Sequence, residues 1–341
     1  MWSPLTHPCW YDVMVRIERV TDVHGLRELH EVVVEVLEHD HVGLPADPFE
    51  ELLPNLHDAP DDPVGHTYWT GRVKGRVVAA GSISLPRREN LTVADVGVSV
   101  RPSARGAGSG RLVLEHLLRE VSRAGRRIVH GQVASPWDAS DPTPAERLLT
   151  GLGARPLLFE ARRLLDLDGR PPALAATPDG YRLEQWIDVA PEPLVAGLAH
   201  LSQRMSTDAP QGDLALEPEV WDADRYRAAE ASARARNRLR VVTAAVHKPS
   251  GAVAGMTDYG VNRDRHEVAY QWDTIVDRDH RGHGLGLVMK TANLTALRQA
   301  APGLRWVNTW NALSNTHMVA VNDALGFVPV ERWTEWELAL T

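Results

Sequence analysis

Runs of apolar residues divide the chain into two halves with the same predicted order of strands and helices. The first half has predicted strands at 15–17, 68–73, 77–85, 93–100, 127–133 and 157–165, and predicted helices up to 36, after 110 and over 145–152. The second half has predicted strands at 181–186, 239–247, 252–261, 268–276, 307–310 and 328–340, and predicted helices near 193–205, over 223–238 and after 286. A repeated alternation of strands and helices predicts two modules of the α/β class.

A cluster of glycine and proline between the halves predicts the domain boundary. Gly169, Pro171, Pro172 and Pro178 fall within residues 168–179, which we interpret as a linker. The expected domains are then residues 1–167 and 180–341. With 341 residues, 43% of them hydrophobic, the chain can build two cores of ordinary domain size.

One short glycine signature occurs once in each half, between a predicted strand and a predicted helix. The copies are Arg-Gly-Ala-Gly-Ser-Gly at 105–110 and Arg-Gly-His-Gly-Leu-Gly at 281–286. Glycines let the backbone bend there and bring bare amides close to a ligand. The first turn of the following helix adds unpaired N–H donors and the positive end of the helix dipole. The pattern therefore predicts a phosphate-binding loop in each half.

The spacing of this signature excludes the two common nucleotide-binding motifs. It matches neither Gly-x-Gly-x-x-Gly nor Gly-x-x-x-x-Gly-Lys-Ser/Thr. It resembles the pyrophosphate loop of the GNAT N-acetyltransferases, the Gln/Arg-x-x-Gly-x-Gly/Ala element that holds the diphosphate of acetyl-CoA. The second half also carries Leu325-Gly326-Phe327, which is similar to the Leu-Gly-Phe at the end of the fourth GNAT helix. Because each half contains one copy of the signature at the same place in the order of strands and helices, the resemblance covers nearly the whole chain.

The resemblance implies two tandem GNAT modules, each with a central, mostly antiparallel sheet flanked by helices. It implies acetyl-CoA as cosubstrate, without a metal. The residues that we expect at the cofactor are Thr274, Ile275, Val276, Arg281, Gly282, His283, Gly284, Leu285, Gly286 and Asn315 in the second half, and Arg105, Gly106, Gly108 and Gly110 in the first.

The expected catalytic base is Asp273, on the strand before the second loop. A primary amine with a pKa near 10 is mostly protonated at pH 7, so a base must remove a proton before the amine attacks a thioester. In the GNAT family that base is often a carboxylate at this place. An alternative interpretation of Asp273 is a structural residue at the sheet edge. The first half has Gly97 at the corresponding position, with Asp95 nearby, so we expect the second half to be the catalytic one.

The tyrosine that commonly acts as general acid in the GNAT family is missing from both halves. Asn322 occupies its place in the second half and Leu149 in the first. Asn322 could donate a hydrogen bond to the departing sulfur, while Asn311 and Asn315 could orient pantetheine or the acceptor. The three asparagines could equally be helix caps and turn residues.

The acceptor is expected to be a small molecule with a primary amine. Acidic residues between the first strand and second helix of the second half suggest a cationic acceptor, such as an aminoglycoside or amino sugar. They are Asp208, Asp213, Glu217, Glu219, Asp222 and Asp224. The tandem arrangement also resembles mycothiol synthase, which favours a thiol-sugar amine. The alternatives are a non-catalytic acyl-CoA sensor and a scaffold protein.

Composition excludes several other functions. A net charge of −8 argues against nucleic-acid binding, and no apolar run reaches the length of a membrane helix. The single cysteine, Cys9, rules out an internal disulfide and paired-thiol zinc sites. We expect a cytoplasmic monomer or homodimer without metal, nucleic-acid or membrane partners.

Overall fold

The computed structural model describes residues 15–57, 62–169 and 174–340, and this part of the chain contains twelve strands and eight α-helices. The strands are β1 (Arg16–Arg19), β2 (Val64–Val73), β3 (Arg76–Pro86), β4 (Val93–Val100), β5 (Ile128–Pro136), β6 (Arg155–Asp166), β7 (Tyr181–Ile187), β8 (Arg238–His247), β9 (Val253–Asn262), β10 (Arg265–Val276), β11 (Trp306–Ala312) and β12 (Val328–Ala339). The helices are α1 (Val23–Asp40), α2 (Phe49–Leu52), α3 (Ser109–Arg123), α4 (Pro144–Gly151), α5 (Val195–Asp208), α6 (Ala223–Ala235), α7 (Leu285–Ala300) and α8 (Thr316–Leu325). The predicted α/β class and order of elements are confirmed. Cys9 and residues 170–173 of the predicted linker lie outside the described residues.

Local sequence signals explain where several of these elements begin. The Asp22 side chain accepts a hydrogen bond from the Gly25 amide at 2.8 Å and caps α1. Asp222 caps α6 in the same way through the Arg225 amide. Each bond satisfies an amide that the first helical turn leaves unpaired.

The twelve strands form one continuous sheet in which the two halves exchange their last strands. The strand order is β1-β2-β3-β4-β5-β12-β6-β11-β10-β9-β8-β7. The last strand of the chain, β12, therefore lies between β5 and β6 of the first half. The last strand of the first half, β6, lies between β12 and β11 of the second. The sequence analysis did not predict this exchange, and the domain boundary at 168–179 stays a prediction.

A buried ion pair joins the two exchanged strands. Arg162 of β6 has no exposed surface, and its guanidinium donates to both Glu331 oxygens of β12 at 2.8 and 2.9 Å. The same guanidinium donates to Asn308 Oδ1 at 2.6 Å and to the Val42 carbonyl at 2.9 Å. Burial alone would raise the pKa of Glu331, but hydrogen bonds with His41, Arg162 and Trp333 lower it to about 2. The pair thus ties β6, β11, β12 and the loop after α1 together.

Helices cover both faces of the sheet, and the alternation of side chains along each strand shows which face each helix covers. In the first half, Ala80 and Tyr68 pack against α1, while Ala79 and Ile83 pack against α3. In the second half, Ala244, Val246 and Met256 pack against α5 and α6, while Val241 and Tyr259 pack against α7. The strand registers place α1, α5 and α6 on one face and α3 and α7 on the other.

Replacing Glu331 by Gln should destabilise the whole sheet, because Arg162 would keep a buried charge without a counter-charge. The expected loss in the free energy of unfolding is about 3–5 kcal/mol. Urea unfolding at pH 7 measures it. The Glu331 carboxylate stabilises the fold fully above its ordinary pKa of 4.5, so the difference from the parent should fade as pH drops from 4.5 toward about 2.

The paired replacement Arg162→Met with Glu331→Leu is the control for this prediction. It removes both charges together and should recover much of the lost stability. Equal stability of Glu331→Gln and the parent at pH 7 would contradict a structural role for the pair.

Candidate functional site

The two glycine loops have the same backbone geometry and leave the same space open. Gly282 and Gly284 have φ values of 84° and 71°, and Gly106 and Gly108 have values of 79° and 83°. Gly284 and Gly108 immediately precede α7 and α3, and no side chain caps either helix. A Cβ atom on any of these four glycines would meet nothing within 4 Å. Both helix starts therefore present unpaired amides to open space, as a phosphate ligand requires.

The arginine at the start of each loop is held by an aspartate at the end of a helix. Arg281 donates through Nε to the Val276 carbonyl at 3.1 Å and through Nη2 to Asp208 at 2.7 Å. In the first half, Arg105 donates to the Val100 carbonyl at 3.1 Å and to both Asp40 oxygens. Asp208 and Asp40 are the last residues of α5 and α1. Each guanidinium is thus engaged in holding its loop against the preceding strand and helix.

Asp208 does not belong to an open acidic rim, contrary to the sequence analysis. Its side chain is only 4% exposed and lies within 2.8 Å of Arg204, Arg278 and Arg281. Burial alone would raise its pKa, but the hydrogen bonds from Arg278 and Arg204 hold the pKa below its usual range. Two other residues of that set are also engaged: Asp222 caps α6, and Glu219 accepts from the Trp221 indole at 2.6 Å.

A cleft opens in each half where two parallel strands separate. The pairing of β10 with β11 ends at Gln271 and Thr309, and that of β4 with β5 ends at Asp95 and His130. Beyond Gln271, β10 continues through Thr274, Ile275 and Val276 with β9 as its partner on one side. The edge of this segment that faces the cleft carries backbone groups that can pair with an extended ligand. Each cleft leads to the glycine loop at the end of its first strand.

A β-bulge distinguishes the cleft of the second half. The register between β10 and β9 shifts between Gln271 and Thr274, so Trp272 and Asp273 together oppose Asp258. Because of the extra residue, Trp272 and Asp273 both lie on the face of the sheet that α6 covers. The register between β3 and β4 has no such shift from Asp95 to Val100. The bulge thus places a carboxylate at the second cleft, where the first has Gly97.

The surroundings of Asp273 favour its protonated form more than water does. Its backbone amide donates to Asp258 Oδ1 at 3.0 Å, and Asp258 pairs with Arg240 at 2.7 Å. Burial raises the pKa of Asp273 to about 7, and the negative charge of Asp258 adds to this effect. A carboxyl group with such a pKa can take up and release a proton near neutral pH.

Asn322 and Asn311 are hydrogen-bonded to each other, whereas Asn315 has a separate position. Asn322 Nδ2 donates to Asn311 Oδ1 at 3.1 Å, and both side chains are buried. Asn315 accepts from the Met318 amide at 3.1 Å and caps α8, as its alternative interpretation predicted.

Comparisons with known proteins agree with this geometry. The chain matches the GNAT acetyltransferase family over residues 30–137 and 206–327, one match in each half. The chain belongs to the GNAT family. Both matches contain a glycine loop and the cleft before it, which confirms the predicted tandem arrangement. A search of curated proteins finds no match.

Solved GNAT structures share this fold over nearly the whole chain. A tandem GNAT protein from the clavulanic acid biosynthesis pathway is 28% identical, with a TM-score of 0.81 over 96% of this chain and 98% of that one. A GCN5-related N-acetyltransferase from Sphaerobacter thermophilus is 17% identical, with a TM-score of 0.69 over 95% of each chain. A glucosamine N-acetyltransferase region of a fungal β-N-acetylglucosaminidase is 13% identical, with a TM-score of 0.63 over 96% of this chain and 38% of that one. The first of these supports acyltransferase activity; the other two show the fold alone.

Neither a metal site nor a membrane span is found in the described ranges. Within residues 15–57, 62–169 and 174–340, no three His, Cys, Asp or Glu side chains are grouped to hold a metal ion. The helices of the same ranges include none long and apolar enough to cross a bilayer.

Lys290 is a buried lysine beside Asn322, and the residue pattern of the chain assigned it no role. It lies on α7, is 1% exposed, and donates to Asn322 Oδ1 at 2.6 Å. Its other neighbours are the Met318 sulfur and the Phe327 ring. Burial lowers the pKa of Lys290 to about 7. The sequence offers one signal for its burial. Lys290 lies in a helix among Val288, Met289 and Leu294, which are buried.

Replacing Lys290 by Met should remove a pH dependence of stability. Between pH 7 and 10.5 the unfolded chain holds the Lys290 proton, whereas the folded chain has lost it. The stability of the parent relative to Lys290→Met should therefore rise over this range, by at most about 1.4 kcal/mol per pH unit. Urea unfolding at pH 7, 8 and 9 measures the difference. Lys248→Met, at an exposed lysine, should show no such slope. A pH-independent difference for Lys290→Met would contradict the lowered pKa.

Proposed function

We propose that this protein transfers an acetyl group from acetyl-CoA to a primary amine of a small molecule, and that the second half carries out the reaction. The observation that carries the proposal is the position of Asp273. The bulge sets its carboxylate beside the open β10–β11 cleft, and its raised pKa suits proton transfer at neutral pH. GNAT membership and the tandem relative support an acyl-CoA-dependent transferase.

The cofactor is expected to occupy the second cleft and the loop at its end. The amides of Gly282, Gly284 and the first turn of α7 would bind the diphosphate, because they are unpaired and face open space. The cleft edge of Thr274–Val276 would pair with the pantetheine amides, as another strand would. Bound acetyl-CoA supplies the thioester whose carbonyl the amine attacks.

Asp273 would take the proton that the acceptor amine must lose. Its pKa of about 7 leaves a large share of the carboxyl groups ionised at neutral pH. The nearby Asp258 is held by Arg240, so the proton can reside on Asp273 rather than on its neighbour. This arrangement gives a base whose pKa lies near the working pH, where general-base catalysis is most effective.

Asn322 would stabilise the departing sulfur in place of the tyrosine of other GNAT enzymes. One N–H of its amide donates to Asn311, which leaves the other for a ligand. Lys290 donates to the oxygen of the same amide and polarises it, which strengthens Asn322 as a donor. The Lys290–Asn322–Asn311 chain thus orients a donor at the end of the cleft without a hydroxyl group.

Replacing Gly284 by Val should weaken CoA binding by tenfold or more. The branched side chain would lie where the diphosphate approaches, and each lost charge-assisted hydrogen bond is worth about 1.5–3 kcal/mol. Isothermal titration calorimetry measures the affinity, and a thermal melt checks the fold.

Gly108→Val is the matched control for Gly284→Val. Both glycines have positive φ values, 83° and 71°, so the two variants carry similar backbone strain. Gly108→Val should leave turnover nearly unchanged. Parental CoA affinity in Gly284→Val would exclude the second loop as the binding site, and loss of turnover in a folded Gly108→Val would assign catalysis to the first half.

Replacing Asp273 by Asn should lower kcat/KM by about 10²–10⁴ at neutral pH, the usual contribution of a general base. The loss should shrink as pH rises toward the pKa of the acceptor amine, which then arrives deprotonated. CoA affinity should hardly change, because the carboxylate faces the acceptor side. Parental rates from pH 6 to 9 would remove Asp273 from the mechanism.

A further inference from the structure

A cavity of about 500 Å³ lies between the two halves, on the face of the sheet that carries α1 and α6. One wall is aromatic and comes from the second half: Tyr270, Trp272, Trp310 and Trp333 on β10, β11 and β12. Tyr270 and Trp310 stack with ring centroids 6.3 Å apart, and Trp333 meets Trp310 edge-on at 5.6 Å. The volume lies within the usual range for a site that encloses a small molecule, about 300–1,000 Å³.

The lining from the first half is mainly aliphatic, and His30 and Tyr68 are its aromatic members. Leu29, Val33 and Leu37 recur every four residues along α1 and present one helical face to the cavity. Leu44 and Pro45, in the loop after α1, continue this wall. The cavity is therefore incomplete in either half alone.

The charged residues that line the cavity are already paired. Arg238 lies 3.4 Å from Asp47 and 2.6 Å from Glu51. Its guanidinium also lies 5.4 Å from the centre of the Trp272 ring. A polycationic ligand would have to enter a chamber of aromatic and aliphatic side chains whose one lining carboxylate, Asp47, already has a partner.

The cavity borders both clefts. Gly97 and Ser99 of β4, which lie beyond the last β4–β5 pair, line it directly. Trp272 lines it from the second half, next to Asp273 in the bulge. Gly260 lets the Trp272 indole lie close to β9, because a Cβ atom at this position would lie only 3.2 Å from the ring. Asp273 itself does not line the cavity, so a molecule there would contact the residue that precedes the proposed base.

We propose that this cavity binds the acceptor and that the acceptor is an amine with a flat apolar, preferably aromatic, body. The proposal rests on the proposed function and narrows its substrate class. The rings of the second half stack on the flat body, the aliphatic face of α1 covers it, and the amino group extends toward Asp273. Aromatic pairs add favourable energy beyond the apolar area that they bury, so the four rings select a flat ligand.

Binding of amines in the absence of CoA tests this proposal. Tryptamine and phenethylamine serve as aromatic probes and spermidine as a polycationic one, with affinities measured by calorimetry and ligand contacts by saturation-transfer NMR. The full-length protein should bind the aromatic amines at least about tenfold more tightly than spermidine. Tighter binding of spermidine, or no binding of either aromatic amine, would overturn the proposal.

Two exposed tryptophans provide matched variants. Trp272 lines the cavity and is 45% exposed, whereas Trp137 is 38% exposed and does not line it. Trp272→Ala should weaken tryptamine binding by about tenfold, and Trp137→Ala should leave it unchanged. Equal effects of the two variants would overturn the proposal. CoA affinity is measured separately. If the protein binds CoA but shows no preference for aromatic amines, only the proposed acceptor class is wrong. Loss of CoA binding would instead count against the proposed function.

Discussion

The buried ion pair between Arg162 and Glu331 fastens the two halves of the chain to each other in the middle of one sheet. It joins strands that come from opposite halves of the chain and that pair directly in the middle of the sheet. Two buried charges are tolerated only when they are paired and fully hydrogen-bonded, so the register of β6 on β12 is closely specified. The exchange makes the halves one structural unit, and it brings the aromatic residues of β10–β12 opposite α1.

The two halves share the geometry of the glycine loop but differ at the position of the proposed base. Both loops have left-handed glycines before an uncapped helix, and both loop arginines are held by an aspartate at a helix end. The difference is one extra residue in β10, which sets Asp273 on the same face of the sheet as Trp272. Gly97 in the first half has neither a bulge nor a carboxylate. The two copies of the fold thus keep the same loop geometry while only the second has a carboxylate at this position.

The sequence alone predicts local features well because they depend on local patterns. Apolar periodicity predicts the strands and helices, and the glycine spacing predicts both loops. The strand exchange is not predictable in this way, since β6 and β12 have the same pattern whichever neighbour they pair with. The contacts of Arg278 and Arg281 with Asp208 also escape prediction, because they join the end of α5 to a loop about 70 residues further along the chain. The burial of Lys290 is not predicted for a related reason. It follows from the packing of α7 against α8 and not from the residue type.

Acetyl-CoA bound in the second cleft and its glycine loop would protect backbone amides there, and amide hydrogen exchange with and without CoA measures that protection. On adding CoA, the amides from Gly282 to Leu287 and those of the Thr274–Val276 segment of β10 should exchange more slowly with solvent. Both segments have backbone groups without a hydrogen-bond partner on the side where CoA would bind. Unchanged exchange in both segments at saturating CoA would contradict the account.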